Sequence, residues 1–175
     1  MTKRVILLLL SCFLLCSACA QERRFTQPNN AMEPAVLEGE KFAVDPSAYR
    51  HVAPERGDLV VFRHDNILQL KRVIAISGDS IEGRDFQIIL NGVLVQEAYV
   101  QHTGKNAISP STSFLKSFPP TKIPTGRMFV MGDNRDYSDD SRDPSIGTIM
   151  VSEVIGKATR IVQSRIPGRE GSAIH

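Results

Sequence analysis

After residue 20 the apolar residues of this chain fall into short runs closed by turn residues, and the spacing of an amphipathic helix is almost absent. That rhythm leaves few choices of fold. The runs predict strands over residues 41–44, 58–63, 68–76, 80–84, 86–90, 93–95, 127–131 and 154–162. Gly57-Asp58, Gly78-Asp79 and Asn91-Gly92 punctuate them. Asn91-Gly92 joins IIL to VLV and signals a two-residue hairpin, because both turn positions need a positive φ. Many short strands with frequent turns predict a mainly β fold of antiparallel sheets, barrel-like in form. With 175 residues the chain is long enough for one domain with its own core.

The two ends read differently. Lys3 and Arg4 precede an apolar segment of 11 residues over 5–15, and CSACAQ then offers small residues, which is the pattern of an export signal. The whole apolar run, 5–20, spans about 24 Å as a helix, short of the ~30 Å hydrocarbon core. Three fates are open for residues 1–20. Ala18-Cys19-Ala20 fits an A-x-A cleavage site that leaves Gln21 first. Ser17-Ala18-Cys19 resembles a bacterial lipobox, with Cys19 as the lipidation candidate, although Cys16 stands where such boxes usually carry Leu. An uncleaved anchor is the third. Each places the domain of residues 21–164 outside the cytoplasm. Cys12, Cys16 and Cys19 are the only cysteines, so the remainder has no disulfide and no thiol metal site. Lys3 and Arg4 account for the net charge of +2, which gives no support for a nucleic-acid partner. Residues 102–124, rich in Ser, Thr and Pro, read as a surface insertion, and 165–175 as a frayed tail.

Two stretches carry chemistry. Lys71 lies in ILQLKRVIAI; on a strand it shares a face with Ile67, Gln69, Val73 and Ala75. Burial among such neighbours disfavours the ammonium, and a neutral lysine can act as a general base. The alternative is a lysine whose stem lies on an edge strand and whose amine reaches water. The second stretch is the densely charged MGDNRDYSDDSRDPSIG, from Met131 to Gly147. Read alone, it also fits a solvated turn with side-chain caps and local ion pairs.

NAMEPAVLEGE, GDLVVF, KRVIAISGDSI, NGVLVQEAYV and GDNRDYSDDSR occur in the order and rough spacing of the bacterial type I signal peptidases, which the chain resembles from about Phe25 to Val162. The resemblance implies a largely β catalytic fold and a Ser–Lys dyad. It implies cleavage of signal peptides from exported precursors after A-x-A at the outer face of the cytoplasmic membrane. It implies no metal or organic cofactor. Lys71 matches the general base, and Ser138 the serine that orients that lysine. Asp140 and Arg142 match a charged pair that shapes the site; Asp133 with Arg72 is expected to form another. Met32 and Pro34 match the residues after the nucleophile.

The nucleophile itself departs from the pattern. The family has Ser in S-M-x-P, and Ala31 stands there. An upstream serine that supports the oxyanion is replaced by Asn29. The Ala31 backbone N–H can still donate into an oxyanion hole, and the Asn29 amide can stand in for the serine hydroxyl. Thr26, the only hydroxyl between Ala20 and Ser47, is five residues from Ala31. The expectation is a signal-peptidase-family serine endopeptidase with impaired cleavage. The alternatives are a non-catalytic protein that binds signal peptides or other extended peptides by strand addition, and an accessory protein of export.

Overall fold

The computed structural model describes residues 22–102 and 114–175. The segment read as an export signal lies outside these, and among the described residues no helix is long and apolar enough to cross a membrane.

The strands are β1 (Arg23–Thr26), β2 (Lys41–Asp45), β3 (Leu59–His64), β4 (Ile67–Ile76), β5 (Ser80–Arg84), β6 (Gln87–Leu90), β7 (Val93–Leu94), β8 (Phe118–Lys122), β9 (Arg127–Met131), β10 (Ile149–Met150) and β11 (Val154–Gln163). They form two antiparallel sheets, in the orders β1-β2-β11-β3-β4-β9-β10 and β7-β6-β5-β8. The mainly β, antiparallel expectation holds; among the described residues neither sheet closes into a barrel.

Chain direction is reversed by turns whose residues accept positive φ. Asn91 and Gly92, at φ 52° and 82°, connect β6 to β7 as the sequence predicts. Asp65 and Asn66 (47° and 63°) do the same between β3 and β4. Asp85 and Phe86 (48° and 66°) join β5 to β6, so Phe86 belongs to a turn and not to the strand expected from residue 86 onward. An aromatic residue in left-handed backbone has no sequence signal.

Two expectations about irregular segments are corrected. The end of the 102–124 insertion is strand β8, which pairs with β5 although it carries Pro119 and Pro120. As an outer strand it can leave one edge unbonded, which is where proline is tolerated. Gly83 of β5 has no Cβ, and the Phe118 ring fills that space. Residues 165–175 do not fray. Ile161 N–H donates to Ser172 O (2.9 Å), Ile174 N–H to Thr159 O (3.0 Å), and the Ile174 side chain packs into the core with Met32, Phe42 and Leu70. Arg169 closes the segment onto buried Glu40 (Nε to Oε1, 2.6 Å). A single isoleucine and an arginine 129 residues from its partner leave no periodic pattern to read.

Strand β4 organises the core. Leu70 belongs to one apolar cluster, Ile74 and Ala75 to a second and Val73 to a third. Residues Leu70 to Ala75 are buried whichever face they occupy. Lys71 and Arg72 therefore sit at the junction of the three clusters, where an unpaired charge is costly.

Candidate active site

The site forms where β9 stops. Arg72 pairs with Met131, the last β9 residue, so Lys71 lies one position beyond the ladder, beside the loop that starts at Gly132. On this side residues 67–71 of β4 have no strand partner among the described residues, while β3 bonds their other edge.

Facing this edge is the loop that carries Ala31. It is pinned at its base by Gln27 N–H to Glu40 O (2.9 Å) and Gly39 N–H to Gln27 O (2.8 Å). Met32 and Val36 are fully buried and bind the loop to the core. Asn134 N–H donates to Ala31 O (3.1 Å), and Asn134 Nδ2 donates to Asn30 O (3.2 Å). A Cβ on Gly132 would overlap both Ala31 O and the Ser138 side chain, so a glycine is needed for the two loops to approach this closely.

A cavity of about 220 Å³ opens between them, lined by Gln27, Asn29, Ala31, Lys71, Tyr137 and Asp139 among others. It brings together three of the residues singled out in the sequence: Asn29, Ala31 and Lys71. The Lys71 side chain is buried, 5% exposed as a residue. Burial holds its amine below the ordinary lysine range, against the opposing pull of Asp140 and Asp139. Among the described residues its Nζ has no hydrogen-bond partner. Ala31 is 2% exposed and its side chain is only a methyl group.

Ser138 lies behind, against Gly132. Its Oγ is buried and has no partner among the described residues, so the hydrogen bond expected between Ser138 and Lys71 is not formed. Resting catalytic contacts commonly lengthen without a bound substrate.

Two buried arginine–carboxylate forks frame the site. Arg72 Nε and Nη2 donate to Asp133 Oδ1 and Oδ2 (2.8 and 2.7 Å). Its Nη1 donates to Gly57 O (2.9 Å), and its guanidinium carbon lies 4.0 Å from the centre of the Tyr99 ring. Arg142 Nε and Nη2 donate to Asp140 Oδ1 and Oδ2 (2.8 and 2.9 Å). Burial alone would raise the Asp140 carboxyl; Arg142, Lys71 and the Gly132 N–H (3.0 Å) outweigh it and hold it below the usual range. Bidentate pairing of this kind is what keeps buried charges tolerable.

A third fork has no counterpart in the sequence reading. Arg135 donates to both Glu97 oxygens (2.9 and 2.7 Å) and through Nε to Gly132 O (3.0 Å). Glu97 also accepts from Tyr99 Oη (2.7 Å). Gln27, Tyr137 and Asp139 are likewise new to the site. Nothing in the spacing marks Glu97 as the partner of Arg135, 38 residues away. Cys19 lies outside the described residues.

The oxyanion positions differ from expectation in polarity. Asn29 turns its carbonyl, Oδ1, toward the Ala31 N–H (3.2 Å), and it does not present its amide nitrogen there. Gln27 Nε2 donates to the same Oδ1 and to the Asn29 backbone O, both at 3.0 Å.

Residues 1–163 match the family model for signal peptidase, peptidase S26. Signal peptidase I of Bacillus licheniformis is 36% identical over 129 residues, covering 72% of this chain and 68% of that protein. Signal peptidase I of Mycobacterium tuberculosis (strain ATCC 25618 / H37Rv) is 32% identical over 189 residues, covering 80% of this chain and 64% of that protein. A solved signal peptidase I from Enterococcus faecalis V583 has 31% identity and a TM-score of 0.49, over 59% of this chain and 95% of that chain. Matched along most of its length by the family model and by relatives in two genera, the chain belongs to the bacterial type I signal peptidase family, peptidase S26.

Proposed function

We propose that this protein binds signal peptides, or other extended segments of exported proteins, at the outer face of the cytoplasmic membrane, and that its signal-peptide cleavage is impaired. The observation that carries the reading is the cavity shared by Lys71 and Ala31. A Ser–Lys mechanism needs an oxygen to attack the scissile carbonyl, with the lysine taking its proton. Lys71 is buried and its amine is biased toward the neutral form, which suits a base. The attacking oxygen is missing.

Peptide binding does not need that oxygen. The unpaired edge of residues 67–71 offers main-chain donors and acceptors to an added strand. A second, smaller hollow lined by Phe25, Thr26, Gln27, Leu68, Gln69 and Leu70 adjoins this edge. The charged frame around Gly132 keeps the edge and the Ala31 loop in place. The hydropathy of residues 1–20 supports an extracytoplasmic location.

The test is incubation of the protein with a synthetic A-x-A signal peptide, with binding followed by fluorescence anisotropy and cleavage by mass spectrometry. Saturable binding with negligible cleavage is expected, and Ala31→Ser should recover part of the activity. Efficient cleavage by the unaltered chain, or no binding, would contradict the proposal.

A further inference from the structure

We infer that Asn29, steered by Gln27, is an internal cap on the Ala31 N–H, with its side-chain carbonyl occupying the position that a bound peptide's carbonyl would take. The inference rests on the reading of the cavity as a peptide site. Its own basis is the polarity of three hydrogen bonds.

The orientations are fixed one by one. The Asn29 backbone O can only accept, so the Gln27 atom 3.0 Å from it is the amide nitrogen. That nitrogen also points at the Asn29 side chain, again at 3.0 Å, so the atom it meets there is the carbonyl oxygen. The Ala31 N–H approaches the same oxygen at 3.2 Å, and a backbone N–H can only donate. Two independent donors thus select Oδ1, and an amide flip would set nitrogen against nitrogen on both sides. Asn29 cannot donate to an oxyanion in this state. It accepts in the oxyanion's place.

The two side chains differ in freedom. Gln27 is 4% exposed and its backbone is pinned at the base of the loop, whereas Asn29 is exposed. Both line the cavity beside Ala31 and Lys71. Gln27 is therefore the fixed post and Asn29 the moving part. A peptide carbonyl seeking the Ala31 N–H has to displace the Asn29 carboxamide, which then keeps Gln27 or turns to water. Exchange of one neutral hydrogen bond for another is close to even, so the cap lowers affinity without closing the site.

Binding is measured for the unaltered protein and for Asn29→Ala with two peptides: an A-x-A signal peptide, and the same peptide with its scissile amide replaced by an (E)-alkene, which has no carbonyl. Asn29→Ala should bind the amide peptide about tenfold more tightly than the unaltered protein, with little change for the alkene. Equal or weaker binding of the amide peptide by Asn29→Ala overturns the cap. A peptide-free measurement guards against a purely structural effect. Amide hydrogen exchange at Ala31 should speed up by about tenfold in Asn29→Ala. Exchange at Val36, bonded to Met32 O at 2.9 Å, should not change. Unchanged Ala31 exchange overturns the cap. Absence of peptide binding by both proteins overturns the peptide-site reading and the competition with it, so the two failures are distinct.

Discussion

Replacing Lys71 by methionine should stabilise the protein at neutral pH and remove a pH dependence. The side chain is buried where three apolar clusters meet, and among the described residues its amine has no hydrogen bond. Methionine fills a similar length without a charge. A buried ion carries an effective penalty of several kcal/mol; Asp140 and Asp139 offset part of it, and we expect a gain of about 1–3 kcal/mol at pH 7. Asp140 keeps Arg142 and the Gly132 N–H after the change. Burial lowers the folded-state pKa of Lys71 below the ~10.4 of the unfolded chain. Between the two values the unfolded state binds more protons, so wild-type stability rises with pH by up to about 1.4 kcal/mol per unit. Below both values the penalty is fully present, and above both it is gone. The advantage of Lys71→Met should therefore shrink as pH approaches 10.4, while other titrating groups cancel in the difference. Urea unfolding of both proteins from pH 7 to 10.5 measures this. A constant difference across that range, or a less stable variant at pH 7, would refute the assignment of Lys71 as a desolvated amine.

Asp133→Ala removes the only carboxylate hydrogen-bonded to the buried Arg72 guanidinium among the described residues and should cost about 3–5 kcal/mol in urea unfolding; a loss below about 1 kcal/mol would show that Tyr99, Gly57 O and His175 O suffice. Ser138→Ala removes a buried hydroxyl that has no partner, so stability should be unchanged or rise by about 1 kcal/mol. In an Ala31→Ser background the same change should lower kcat at least about tenfold with little effect on KM, if Ser138 orients Lys71 during turnover.

Local chemistry was legible in the sequence, and long-range pairing only where family boxes marked both partners, as for Arg72 and Asp133. The strand runs and the Asn91-Gly92 turn are dictated by neighbours in sequence, and they appear within a residue or two of expectation. Lys71, Arg72, Asp133, Asp140 and Arg142 were marked by sitting in long, specific boxes. Arg135 and Glu97 also sit in such boxes, but nothing in either box marks them as partners, and only the fold joins them. Strand β1 was missed because RRFT has no alternation of exposed and buried positions to detect. The polarity of Asn29 was misjudged for a different reason. An amide can donate or accept, and the choice is made by Gln27, two residues away but brought into contact by the loop.

The central claim is that the scaffold holds a peptide while the missing oxygen at position 31 prevents its cleavage. The most direct test is a single-turnover assay with protein in excess over an A-x-A signal peptide, comparing the unaltered chain, Ala31→Ser and Ala31→Ser with Lys71→Met. The unaltered chain should give no Lys71-dependent product, since oxyanion stabilisation and binding alone leave only about 10³–10⁴-fold catalysis over water. Ala31→Ser should cleave between the A-x-A box and the next residue, about 10²–10³ below a complete site, because Asn29 supplies no donor to the oxyanion in the observed orientation. Adding Lys71→Met should abolish that product. Efficient cleavage by the unaltered chain, lost on Lys71→Met, would contradict the account and demand a nucleophile other than residue 31.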